Sequence, residues 1–366
     1  MNRIQIVANQ LSSPKPPNPD NHISVNLQHH YTEVTLDRAK QMNTFTISMA
    51  KKMQGIIKKL NDIPHMKLAL LRKNEGPAFC AGGDLKSIMK ESSTGEHNYQ
   101  YEINKVVYLM SQAKPTYVAF LDGIVMGTGV GLSFFAKIKI ATENTLLAMP
   151  ESKLGYITDV GAGWYLPRLN DGVGLYMMLT GTGIKGEDLV KVGLAHYYVE
   201  SDKLEDLRRE LKEHVVQMRI ERISESSLRK IVEKYSKKIT GEFSLKSFTK
   251  EHFEGKTSVE EVIKSLKGKI DSDTMAKKIL DTLNANSPIS LKANFELHEK
   301  GKKMTLEEVL KLELNVGPKL MAQGDIIRGV QRVLLKQESE WAHKTVEEVT
   351  REEIEELFKV EKFFEF

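Results

Sequence analysis

The sequence predicts a layered α/β domain followed by an all-helical region, and three observations carry that expectation. Short β-type runs at Tyr31–Leu36, 68–71 and 117–121 alternate with helical stretches up to about residue 200, as in strands and helices layered on one another. Beyond that point lysine and glutamate dominate with helical periodicity, and Leu204, Leu207, Leu211, Val215 and Met218 mark one apolar face. The 366 residues, 40% of them hydrophobic, suffice for one large core with appendages or for two domains.

On these changes of composition the chain divides into a tail at 1–24, a core domain at 25–200 and a helical region at 201–366. Residues 1–19 hold two basic residues and no acid, but Pro14, Pro16, Pro17 and Pro19 forbid the amphipathic helix of an organellar presequence. In the helical region three starts read as capping boxes, in which a Ser or Thr and a Glu three residues on satisfy each other's amides. They are Ser258 with Glu261, Thr305 with Glu308, and Thr345 with Glu348. The lysines between Lys230 and Lys267 read as a solvated helix face.

Charge lends nucleic-acid binding no support. The 53 basic and 49 acidic residues nearly cancel, to a net +4, and leave no basic block that would mark a nucleic-acid surface. The single cysteine, Cys80, cannot form an intrachain disulfide, which suits a reducing compartment. No run approaches the roughly 20 apolar residues that a membrane-spanning helix needs. No metal site is expected, because His29 and His30 lie near the tail and nothing else has ligand spacing.

Two glycine-rich segments stand out. Ala78-Phe79-Cys80-Ala81-Gly82-Gly83-Asp84-Leu85-Lys86 follows an apolar strand and a Gly76-Pro77 turn, and paired glycines there let backbone amides point into a cavity. Gly123-Ile124-Val125-Met126-Gly127-Thr128-Gly129-Val130-Gly131-Leu132-Ser133 reads as a strand end, a turn and a helix start, where amides carry the positive end of the helix dipole. One amide from each loop would make a site for a developing oxyanion, where a single donor is worth about 3 to 4 kcal/mol. Farther on, Met149-Pro150-Glu151-Ser152-Lys153-Leu154-Gly155-Tyr156-Ile157-Thr158-Asp159 sets two carboxylates eight residues apart among glycines and apolar residues. Desolvation there would shift both toward acid or base duty; the plain alternative is a cap or an ion pair with Arg168.

The segments 79–86, 114–133 and 149–169 together resemble the crotonase superfamily, and within it the 3-hydroxyisobutyryl-CoA hydrolases of valine breakdown. The resemblance extends over residues 25–350, with outlying matches at Thr35-Leu36-Asp37-Arg38-Ala39-Lys40-Gln41-Met42-Asn43, at 253–266 and at Asn286-Ser287-Pro288-Ile289-Ser290-Leu291. It implies a crotonase-type ββα spiral with a helical C-terminal region that covers the pocket. It also implies an acyl-CoA substrate, with coenzyme A present only as part of that substrate and no separate cofactor, and a place in the mitochondrial matrix.

By match to the family, the amides of Gly83 and Thr128 are the oxyanion donors and Glu151 and Asp159 the acidic pair. Glu102 matches an acid that lines the substrate pocket, and Lys40 lies where the family holds the CoA moiety. Hydratases of the family use a second glutamate at the position of Gly131, and a glycine moves no protons, so the resemblance points to hydrolysis.

Several positions depart from the family. Its three-glycine turn is Gly127-Thr128-Gly129 here, and the branched Thr128 demands a negative φ and adds bulk beside the thioester. A one-residue insertion falls between Pro115 and Gly123, Ile157-Thr158 replaces Phe-Pro, Ala162 replaces a glycine, Asn315 an arginine, and Gly324-Asp325-Ile326 a His-Asp-Phe turn. Proteins resembling this hydrolase also serve as accessory subunits of the small mitochondrial ribosomal subunit. An assembly role therefore stands beside the enzymatic one.

Overall fold

Parallel strands buried on both faces read as continuous apolar runs, and the central strands of this chain do so. The computed structural model describes residues 22–86, 88, 98–218, 220–333 and 335–366. The expected tail lies outside the described residues as far as residue 21, and Ile23 already opens strand β1 (Ile23–Leu27). An antiparallel hairpin joins β1 to β2 (Tyr31–Leu36), with Ile23 opposite Leu36. The strands β3 (Leu68–Lys73), β5 (Thr116–Leu121), β7 (Ile138–Ala141) and β10 (Tyr197–Tyr198) then add in parallel, giving the order β1-β2-β3-β5-β7-β10.

A smaller sheet takes the alternate strands. It has the order β4-β6-β8-β9, from β4 (Ala78–Cys80), β6 (Ile124–Met126), β8 (Leu146–Ala148) and β9 (Ile184–Lys185). Each repeat thus gives its first strand to the larger sheet and its second to the smaller one, as β3 then β4, β5 then β6, β7 then β8. This is the ββα spiral with appended helices that the sequence predicts. The smaller-sheet strands lead directly to Gly82-Gly83, to Gly127-Thr128 and to Pro150-Glu151, so one topological step repeated three times delivers every segment singled out from sequence.

Packing groups the chain by other criteria than composition. One compact unit comprises the described residues up to Asp84 with Lys105–Leu147 and Ile184–Gly241; the other comprises those of Leu85–Asn104 with Ala148–Gly183 and Glu242–Phe366. In the first unit Leu68, Leu70, Val118, Phe120, Ile138 and Ile140, at period two on three strands, form one sheet face. The helix Leu204–Gln217 covers that face with Leu207, Leu211 and Val215, and Glu225–Tyr235 adds Leu228, Ile231 and Val232. The apolar stripe read from sequence is therefore the buried stripe, with Leu204 and Met218 packed at its ends.

The second unit is helical, and its caps test the sequence reading one by one. Thr305 and Glu308 form the full reciprocal box at the start of Leu306–Ala322. Ser258 accepts from the Glu261 N–H at 3.2 Å, but the Glu261 carboxylate reaches one residue farther back, to the Thr257 N–H at 2.7 Å. Thr345 caps nothing with its side chain: a single 3-10 turn, Val346–Glu348, follows it, and the Glu348 N–H bonds to the Thr345 carbonyl instead. The α-helix begins later, at Arg351–Phe358, under a box made by Thr350 and Glu353.

These assignments separate in denaturation. Leu211→Ala should lower the unfolding free energy by about 2–5 kcal/mol and Thr350→Ala by about 1 kcal/mol. Thr345→Ala should change it by less than about 0.5 kcal/mol, all read from urea midpoints at constant slope.

Candidate active site

In the first unit the two glycine loops are built against each other. Gly82 has φ +102° and Gly127 φ +46°, so both turns use backbone that a Cβ would disfavour. At Gly129 the demand is close approach rather than φ, since a Cβ there would stand 2.3 Å from the Cys80 carbonyl oxygen. Thr128 is the position of the three that takes a side chain: it is the first residue of the helix Thr128–Phe134, is buried, and leaves the positive φ to Gly127. The strain expected of a threonine in this turn is thereby avoided. Burial pushes the Cys80 thiol beside these loops up to about 12.

The loop that follows β2 holds the first glycine turn from outside. Phe45 pairs with Gly83 as an isolated parallel bridge, which uses the Gly82 carbonyl and the Asp84 N–H and leaves the Gly83 amide outside it. Arg38 pairs with Asp84 at 2.8 Å, and the Ala81 N–H donates to the Met42 carbonyl at 3.0 Å. Asn43, buried at φ +53°, accepts from the Arg38 N–H at 2.7 Å and donates to the Ala78 carbonyl at 2.8 Å. Lys40 sits exposed on the 3-10 turn Ala39–Gln41 of this loop.

In the second unit the acidic loop is clamped by the helix Pro288–Gly301. Asn294 accepts from the Thr158 N–H at 2.7 Å and donates to the Tyr156 carbonyl at 3.1 Å and the Ser152 hydroxyl at 3.0 Å. Ser290 donates to the same Tyr156 carbonyl. A proline at 158 would have no N–H for Asn294, so the departure from the family at Thr158 supplies one of the clamp's bonds. Gly163 and Gly301 let the backbones meet, because a Cβ on Gly301 would lie 1.7 Å from the Gly163 carbonyl oxygen. Arg168 is not the partner of the acids: it donates to the Gly301 and Met304 carbonyls, at 2.9 and 3.0 Å, and stacks on Trp164.

Glu151 opens the short helix Glu151–Leu154 and is buried, and its Oε2 has no hydrogen-bond partner among the described residues. Desolvation, with the nearby Asp159 second, raises its carboxyl well above the usual range. Asp159 keeps some accessible surface, yet its carboxyl is largely desolvated and is lifted to about 7. The residue after it, Val160, is buried at φ +56°, a conformation that costs a β-branched residue on the order of 1–2 kcal/mol.

A third acid completes the cluster. Glu313, in the helix Leu306–Ala322, has no exposed surface, and its two oxygens accept the Gly161 N–H at 3.0 and 3.1 Å. Asn104 donates to it at 3.2 Å, and desolvation with Asp159 raises it well above the usual range. Tyr156 and Tyr165 are raised too, by desolvation first and then by these three carboxyls. Sequence reasoning missed Glu313, although the signal existed: it stands among Val309, Leu310, Val316 and Leu320 on the apolar stripe, where an acid is out of place.

The structure brings Glu151 and Asp159 together, and separately the loops of Gly83 and Thr128. Glu102 is half-buried on the helix Asn98–Ser111, about 200° around the axis from Gln100 and Asn104, the residues that bond Glu313. Gly131 lies inside the helix after Thr128 and contributes no acid. Asn315 binds backbone, accepting from the Glu361 and Lys362 N–H groups at 3.0 and 2.9 Å. Asp325 is buried and accepts from Ser287 at 2.6 Å. Among the described residues no group of three or more His, Cys, Asp or Glu is arranged to hold a metal, and no helix is long and apolar enough to cross a membrane.

The ββα repeats with appended helices define a crotonase-type α/β protein. A family model for enoyl-CoA hydratase/isomerase matches residues 31–358, and the chain belongs to that family. Mitochondrial 3-hydroxyisobutyryl-CoA hydrolase of Xenopus laevis is 35% identical over 338 residues, which cover 89% of this chain and 85% of the relative. The Gallus gallus hydrolase of the same name is 31% identical over 369 residues, or 98% and 94% of the two chains. Among solved structures, a carnitinyl-CoA dehydratase from Mycobacterium thermoresistibile superposes with a TM-score of 0.83 at 25% identity, covering 93% of this chain and 97% of that one. An enoyl-CoA hydratase from Rhodobacter sphaeroides 2.4.1, at 23% identity and a TM-score of 0.80, shares the fold.

A carboxyl whose folded pKa is raised binds protons more tightly in the folded chain, so the stability it lends is present at low pH and is lost as pH rises through the folded value. For Asp159 that window runs from its ordinary range up to about 7. Asp159→Asn should therefore remove part of the decline in urea midpoint between pH 5 and pH 8, gaining on the parent chain at pH 8. In the glycine turn, Gly129→Ala should destabilise through its collision with Cys80, while Thr128→Gly should fold normally, read from thermal midpoints.

Proposed function

We propose that the chain hydrolyses a 3-hydroxyacyl-CoA thioester, specifically 3-hydroxyisobutyryl-CoA in valine breakdown, in the mitochondrial matrix. The observation that carries this reading is the pair Glu151 and Asp159 in one desolvated cluster, with a glycine at 131 where a hydratase needs its second acid. The names of the curated relatives support the same substrate.

In this reading the Gly83 and Thr128 amides bind the thioester oxygen and the charge that develops on it. Asp159, whose carboxyl is lifted to about 7, acts as general base. It takes a proton from water as the water oxygen bonds to the carbonyl carbon. Collapse of the tetrahedral intermediate breaks the carbon–sulfur bond, and the leaving CoA thiolate takes up the proton, giving the 3-hydroxy acid and CoA. Glu151, its carboxyl raised well above the usual range by burial, directs its unpartnered Oε2 to water or substrate. Glu102 recognises the substrate hydroxyl and Lys40 the CoA moiety.

CoA release from 3-hydroxyisobutyryl-CoA is the test. Asp159→Asn should lower turnover by at least about 100-fold in a chain that still folds, and normal turnover in that variant would sink the assignment. The parent's kcat should rise with pH along an acid limb near 7, as Asp159 ionises. Silence of both the parent and Thr128→Gly, with salt-sensitive co-sedimentation with mitochondrial ribosomes, would move the reading to a structural subunit of the small ribosomal subunit.

A further inference from the structure

Glu313 is a buried carboxyl to which the hydrolytic reading gives no task. Its bonds are to groups that hold backbone or scaffold: the Gly161 N–H on both oxygens and the Asn104 side chain. Its own main-chain carbonyl accepts from Gln100 at 3.1 Å, which fixes the helix that carries it. The backbone it grips is a tight turn, closed by the Ala162 N–H donating to the Asp159 carbonyl at 3.0 Å. Val160 at φ +56° and Gly161 at φ +80° are consecutive left-handed residues, the first of them β-branched, and Asp159 immediately precedes them.

We propose that Glu313 is a positioning residue for Asp159: by holding the Gly161 amide with both oxygens it fixes the left-handed Val160-Gly161 turn and so aims the Asp159 carboxyl. This rests on the hydrolytic reading for its catalytic consequence, but not for its geometry.

The titratable groups that face Glu313 are Asp159 on the gripped turn and the hydroxyls of Tyr156 and Tyr165, with Glu151 reached through Asp159. From the helix Asn98–Ser111 come only the neutral Asn104 and Gln100. None of the groups that shift Glu313 is a cation, and burial with the neighbouring Asp159 raises its carboxyl well above the usual range. Glutamine is then a fair mimic of it, keeping a carbonyl oxygen for the Gly161 N–H. Leucine keeps volume and loses the grip. Aspartate keeps the carboxyl but withdraws it by one methylene.

The experiment follows the Asp159 carboxyl carbon by NMR across pH, its signal identified by loss in Asp159→Asn, together with kcat and KM for CoA release. In Glu313→Leu the Asp159 midpoint should fall from about 7 toward the ordinary carboxylate range as the turn relaxes into water. In that variant kcat should drop by about 30-fold or more while KM stays within about 3-fold. Glu313→Gln should keep the midpoint and hold kcat within about 3-fold.

If Glu313→Leu does not fold, Glu313→Asp carries the test, with a lowered Asp159 midpoint and faster exchange of the Gly161 amide as the expected result. An unchanged midpoint in both Leu and Asp variants overturns the proposal, as does a Gln variant that falls as far as Leu. If no protein, parent included, releases CoA, the hydrolytic reading fails, and the midpoints still decide the positioning role.

Discussion

Carboxyl groups buried without a cation are the constraint to which the second unit is built. Leaving such groups dry is unfavourable unless they stay neutral or collect hydrogen bonds, and the cluster shows both solutions. Glu313 accepts from backbone and amide donors, while Glu151 keeps an oxygen without a partner among the described residues. The surroundings follow from that. The loop bearing the two acids is held by Asn294 and Ser290, whose own helix starts at Ser287 and is tied through that residue to the buried Asp325. Gly163 and Gly301 permit the backbone contact that brings helix and loop close enough for those bonds. Polar side chains inside this unit are thus scaffolding for an acidic site rather than interruptions of an apolar core.

The first unit solves a different problem, which is to turn the chain sharply at the ends of short strands. It does so by spending glycines selectively. Gly82 and Gly127 supply left-handed backbone and Gly129 supplies clearance, and the middle position of the turn is relieved of both demands. That division explains how a threonine can stand in the middle of this turn without distorting the helix it begins.

Much of this could be read from the sequence, and the reasons differ by element. The strands Leu68–Lys73 and Thr116–Leu121 were readable because two-sided burial leaves an apolar run at 68–71 and 117–121, and Tyr31–Leu36 because Thr32, Val34 and Thr35 are β-branched. The stripe from Leu204 to Met218 was readable because a single face is buried. The residues of the acidic pair and the glycine loops could be named, but the roles given to them came from resemblance, which no spacing supplies. Thr345 misled because a capping box and a single 3-10 turn share one local pattern, and the choice is made by whether the N–H of Glu348 finds a carbonyl first. Glu313 escaped because an acid on a helix in a lysine- and glutamate-rich region looks like surface. Only its place among Val309, Leu310, Val316 and Leu320 distinguishes it.

The buried thiol at the end of β4 has one more consequence. Cys80 is the only cysteine in the chain, is fully enclosed, and has a thiol lifted to about 12, so it presents almost no thiolate to a reagent while the glycine loops are closed over it. Its alkylation therefore requires local opening of the backbone around Gly82 and Gly129, which packs against it.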